Sequence, residues 1–146
     1  MPGRAHLKWR EESFQTMYVA TTRAIRVTVT PRHLPDQTDP AKSQYVWAYH
    51  VLIENKGDVT VQLRSRHWKI TDGHGRQQEV KGPGVVGETP RLQPGEAFEY
   101  RSGTSLSTPS GFMGGTYQMV SETGENFDIE IPTFSLDTPA GPRQLN

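Results

Sequence analysis

Glycine and proline interrupt this chain too often for any helix to persist. Fourteen glycines and eleven prolines are spread through 146 residues, and no helical hydrophobic period outlasts a single turn. Short alternating runs survive between the breaks, and turn signals return about every 8 to 12 residues. The expected fold is all-β, an antiparallel β-sandwich of about seven or eight strands, immunoglobulin-like or fibronectin type III-like. A chain of this length makes one domain of it.

The expected layout is a flexible extension over 1–20, the sandwich over 21–137 and a disordered tail over 138–146. Residues 1–16 read as a loose arm in which Trp9 and Phe14 are isolated apolar side chains. Ile25, Val27 and Val29 then alternate with Arg26, Thr28 and Thr30 as a half-buried strand. Pro31, Pro35 and Pro40 stop it and leave 32–43 as an exposed connection. Residues 45–54, YVWAYHVLIE, form the strongest strand, and both its faces are largely apolar, as in the middle of a packed sheet. Asn55, Lys56, Gly57 and Asp58 read as a hairpin turn into a return strand at 59–64. A further strand at 66–71 carries Trp68 and Ile70. It turns at Asp72, Gly73, His74 and Gly75 into a polar edge strand at 77–81. Pro94 and Gly95 suit the two central positions of a type II turn that launches Phe98 and Tyr100. Residues 102–113 read as a long loop of the kind that often binds, and 115–120 with 126–134 as a closing hairpin.

Sixteen Lys and Arg balance sixteen Asp and Glu, so no net field gathers nucleic acid or anionic lipid. No apolar run reaches the roughly 18 residues of a membrane span, and the start lacks the apolar stretch of a secretory signal. No membrane insertion is expected. With no cysteine, a cytoplasmic location is expected.

The stretch Gly82-Pro83-Gly84-Val85-Val86-Gly87 has the letters GxGxxG. Gly82, Gly84 and Gly87, with Lys81 and Arg91, are therefore candidate ligands of a small phosphate-containing anion or nucleotide, held in a nest of backbone N–H groups. The helix that gives such letters their chemistry in dinucleotide folds is missing: Val85 and Val86 are β-branched and Thr89-Pro90 discourages a helical start. The competing reading makes these glycines a sharp crossover between the two sheets. His67, Asp72 and His74 surround one turn and are candidate ligands of a divalent cation, although turn chemistry already accounts for Asp72-Gly73. No serine elbow or paired-carboxylate arrangement appears, so no catalytic residue and no cofactor are assigned, and a non-enzymatic protein is expected. Arg64, Arg66, Arg76 and Lys81 around Trp68 suggest a basic aromatic patch, but Trp68 shares a face with Ile70 and reads as core, so nucleic acid is not an expected partner. A protein partner is expected, docking on end loops or on an exposed sheet edge. An unprotected edge also leaves a homodimer open.

Ser65-Arg66-His67-Trp68, Thr71-Asp72, the run from Val80 through Gly87, Leu92-x-Pro94-Gly95-Glu96-x-Phe98-x-Tyr100, Gly115-x-Tyr117-x-Met119 and Phe127-x-Ile129-x-Ile131-Pro132-x-Phe134 follow one another in this order. Together they resemble the bacterial ApaG family over residues 17–137. The resemblance implies a fibronectin type III-like sandwich that begins near Met17-Tyr18-Val19-Ala20-Thr21-Thr22, so that 1–16 is an extension or the product of an upstream start codon. It also implies an association with cobalt and magnesium resistance or efflux, and a kinship with binding modules of eukaryotic F-box and polymerase-interacting proteins. It carries no catalytic residues onto this chain.

Overall fold

A computed structural model describes residues 16–139 of the chain. The arm with Trp9 and Phe14, and the tail from 140 onward, lie outside the described residues. Nine strands follow in order: β1 (Tyr18–Thr22), β2 (Ile25–His33), β3 (Tyr45–Asn55), β4 (Val61–Asp72), β5 (Gln77–Pro83), β6 (Arg91–Leu92), β7 (Ala97–Leu106), β8 (Gly111–Ser121) and β9 (Asn126–Leu136). Two 3-10 turns, Pro35–Gln37 and Pro40–Lys42, occupy the β2–β3 connection. One sheet has the order β1-β2-β3-β7; the other has β5-β4-β8-β9, with β6 also on β4. All pairings are antiparallel. The fold is the expected all-β sandwich, and β1 and β6 take the strand count beyond the expectation.

Alternation builds the core. Trp47, Tyr49, Val51 and Ile53 on β3 face Leu63, Trp68, Tyr117, Met119, Ile129 and Phe134 of the opposite sheet, all buried. The other face of β3, with Val46, Ala48, His50 and Leu52, is only half-buried, so this sheet has one dry side, not two. The tip of the Trp47 ring donates from Nε1 to the Asp137 carbonyl (2.8 Å) and ties the segment just after β9 to the core.

Several connections depart from the sequence expectation. Strand β2 runs through Pro31 to His33 instead of stopping. Leu34 N donates to Val46 O (2.9 Å), so even-numbered residues of β2 make the bonds to β3 and the Pro31 nitrogen faces away. Strand β1 ends opposite Val29, so no bond is lost at that nitrogen. Residues 18–20, placed in the extension by the sequence, form most of β1, which pairs with β2.

The turn after β3 is not a hairpin, because β3 and β4 lie in different sheets. Asn55, buried at this crossing, donates from Nδ2 to the Val59 and Leu92 carbonyls (2.8 and 3.0 Å) and accepts the Gly57 amide on Oδ1 (3.0 Å). The strand expected at 66–71 is the second half of β4, which continues from Val61 through a bulge between Leu63 and Ser65. Residues 102–113 are mostly strand, belonging to β7 and β8, with a short crossing between sheets. Their serines and glycines have low β propensity, but the long ladder of β7 on β3 outweighs it.

Candidate functional site

The glycine loop does not cross between sheets: it runs from β5 to β6, both paired with β4. The crossing comes one turn later, where Glu96 N donates to Gln93 O (2.9 Å) around Pro94 and Gly95, with Gly95 at φ 87° as the type II turn requires. Within the loop, Val85 and Glu88 exchange N–H···O bonds (both 2.8 Å) around Val86 (φ 42°) and Gly87 (φ 82°). These are the two left-handed positions of a type I′ turn. Gly84 donates to Arg64 O (2.9 Å), and a Cβ on it would collide with the Glu88 carbonyl. The amides of Val85 and Glu88 are thus spent inside the loop and that of Gly84 on β4, and Gly84 and Gly87 answer to the loop's turn geometry. Lys81 sits on exposed β5 opposite His67, and Arg91 on β6 opposite Gln62, at two separate points along β4.

The candidate metal ligands go to different partners. His67 Nε2 pairs with Glu79 Oε1 (2.7 Å). Asp72 Oδ1 accepts the His74 and Arg76 amides (2.9 and 3.0 Å), and Oδ2 accepts Arg76 Nε (2.9 Å). Among the described residues no group of three or more His, Asp or Glu side chains is placed to share an ion.

A different constellation forms between the sheets. Arg66 pairs with Tyr117 on the face that also carries Trp68 and Ile70, so its side chain enters the sandwich. Nη1 donates to the carbonyls of Pro83 and Gly84 (both 2.9 Å). Gly82 lies against the guanidinium: a Cβ there would come within 3.1 Å of both Nη atoms. Around it stand three phenols. The Tyr100 and Tyr117 hydroxyls share a 2.5 Å hydrogen bond, and Tyr49 bonds to Ser102. Burial pushes the pKa of all three phenols up, so they remain neutral beside the cation.

Of these residues Tyr49, Arg66 and Ser102 line a cleft of about 320 Å³ that opens between β5 and β7, while Tyr100 and Tyr117 are buried behind it. Tyr49 and Trp68, ring centroids 5.4 Å apart and edge to face, form its floor. Gln78, Val80, Ser102 and Thr104 form its rim. Strand β7 is the outer strand of its sheet among the described residues. Since Asn55 N donates to Glu96 O (3.0 Å), even-numbered β7 residues bond to β3. Glu99, Arg101, Gly103 and Ser105 therefore turn their amides and carbonyls to the open edge. On the opposite flank β1 and β2 pack against β9, and Thr22 Oγ1 accepts the Glu130 amide (3.1 Å).

The cleft was not foreseen from the sequence. Its signal was present in the alternation Arg66, Trp68, Ile70, which puts an arginine on the core side of a strand. The cleft itself needs the pairing order that leaves β5 and β7 as edges.

The ApaG domain model matches residues 35–121 of this chain. Protein ApaG of Rhodospirillum centenum is 62% identical over 130 residues, covering 89% of this chain and 100% of the relative. Protein ApaG of Parvibaculum lavamentivorans is 58% identical over the same coverage. The crystal structure of an ApaA protein from Bordetella pertussis aligns with a TM-score of 0.77 at 54% identity, covering 79% of this chain and 94% of that one.

Proposed function

The chain belongs to the ApaG family, and we propose that it works as a non-enzymatic protein-binding module that docks its partner on the open flank between β5 and β7. The supporting observation is the unpaired β7 edge beside a cleft with an aromatic floor, which together offer backbone bonding and side-chain pockets to an added strand. Strand β5, the other border, is guarded by Glu79 and Lys81 on exposed positions, a common defence against indiscriminate pairing. The stretch of β7 at Gly103 and Ser105 carries no charge and is the more open of the two edges. In this reading any link to cobalt or magnesium resistance runs through the partner.

The test is a photo-crosslinking amino acid placed at Ser105, with the same group at Glu130 on β9 as a control, in cells that express the protein. Adducts with another protein from the Ser105 position alone support the reading. Adducts with a second copy only, or equal adducts from both positions, overturn it. Titration with pyrophosphate examines the alternative, since a small-anion sensor would move the amide signals of Gly82, Gly84 and Gly87.

A further inference from the structure

Among the described residues Arg66 is the one Lys or Arg that lines the cleft, and its bonding is unfinished. Nη1 serves two carbonyls, while Nε and Nη2 have no partner among the described residues. No carboxylate there forms an ion pair with it: Asp72, Glu79 and Glu99 pair with Arg76, His67 and His50. The N–H bonds of Nε and Nη2 are parallel, the fork that receives both oxygens of one carboxylate. On the inner face of the sheet the groups beside it are neutral phenols; Lys81 and His67, which border a second depression with Arg66, alternate to the outer face. That favours a single negative charge over a polyphosphate, which would call for several cations together.

We propose that the cleft receives an extended acidic peptide segment of a partner protein, which pairs its backbone with the outer edge of β7 and lays a carboxylate side chain on the Nε and Nη2 side of Arg66. The two halves of the site support each other. The outward amides and carbonyls of Glu99, Arg101, Gly103 and Ser105 repeat at the spacing of a peptide backbone. A strand added there would send alternate side chains inward over Ser102 and Thr104, toward Tyr49, Trp68 and the guanidinium. Gly82 has a role in this arrangement: by lacking a side chain it leaves the face of the guanidinium clear, so Arg66 can lie flat against β5 while Nη1 is anchored. The glycine thus positions the cation that meets the ligand, and need not touch the ligand itself.

The inference rests on the protein-binding reading, and its test separates the two. The probe is a capped heptapeptide alternating glutamate with valine, titrated into the wild-type protein while backbone amide signals are followed. Three companion peptides replace every glutamate by glutamine, replace it by lysine, or carry N-methyl groups at alternate residues. The glutamate peptide should shift the amides of Glu99, Arg101, Gly103 and Ser105. The glutamine peptide should bind about tenfold more weakly or worse, the lysine peptide should not bind, and N-methylation should abolish the β7 shifts. Arg66→Gln should reduce the glutamate peptide to the level of its glutamine analogue, and Arg66→Lys, which keeps the charge and loses the fork, should fall between. Equal affinity for the glutamate and glutamine peptides, or no β7 shift at about millimolar peptide, overturns the proposal. All four peptide titrations are made on the unaltered protein, so a variant that fails to fold does not protect the idea. If the peptides fail while crosslinks at Ser105 persist, the acidic chemistry is wrong and protein binding stands. If both fail, the protein-binding reading goes too.

Discussion

His33 shows how one half-buried group can set a pH response. Its Nε2 shares a hydrogen bond with Thr38 Oγ1 (3.0 Å), its ring meets Trp47 edge-on at 5.6 Å, and its Nδ1 is buried with no partner. Burial lowers its pKa below the ordinary value, about 6.5, so the unfolded chain takes up the proton first. Its contribution to stability is full above about pH 6.5 and is lost as pH falls through the lower folded-state pKa. Urea midpoints should therefore fall between about pH 7.5 and 5.5, and His33→Gln should flatten that slope. Carboxylates held low by partners, such as Glu54 bonded to Arg26, respond only below about pH 4.5. Val86 is a second local exception, a β-branched residue at φ 42° and 57% exposed. Asparagine tolerates that conformation, so Val86→Asn should raise the urea midpoint, by about 1 kcal/mol in stability.

Asn55 holds an entire crossing in place. Its side chain serves Val59, Leu92 and Gly57, while its own amide and carbonyl meet Glu96 and Gly95. Asn55→Ala would leave buried carbonyls without donors and should cost about 1–3 kcal/mol, measured by denaturant unfolding. Glycines divide by their surroundings in the same way. A Cβ on Gly115, at the irregularity between β8 and β9, would overlap the His67 carbonyl of β4. A Cβ on Gly75, at φ 83° in the β4–β5 turn, meets nothing within 4 Å. Gly115→Ala should therefore force two strands apart at a cost of about 3 kcal/mol, whereas Gly75→Ala should show only backbone strain of about 1 kcal/mol. Thermal unfolding of the two variants side by side checks the difference.

At the scale of the molecule, most of the framework joins distant segments: β3 pairs with β7, and β4 with β8. Loop closure must precede these contacts, so refolding should take milliseconds to seconds, measurable by stopped-flow tryptophan fluorescence because Trp47 and Trp68 are buried. The two flanks are unlike. One is closed by β1 and β2 against β9 and by Arg23, which forks onto Glu125 (2.8 and 3.0 Å) and stacks 4.2 Å from Phe127. The other is open between β5 and β7, which is why the proposed docking surface lies there.

Residues 45–54, the Pro94-Gly95 turn, the closing hairpin and the family were legible in the sequence, because alternation, turn chemistry and motif order are local properties of the chain. The same local logic misjudged Pro31, the turn after Asn55 and residues 102–113, where the outcome depended on which strand lay alongside. It offered Gly82, Gly84 and Gly87 either as an anion nest or as a crossover between sheets; the structure keeps their loop within one sheet, with Gly84 and Gly87 in its turn geometry and Gly82 against Arg66. Only the tertiary structure decided the bulge in β4, the separation of β3 and β4 into different sheets and the edge positions of β5 and β7. Strand pairing is a contest among distant segments for the same backbone bonds, and no single segment records who wins. The cleft around Arg66 is the product of that contest.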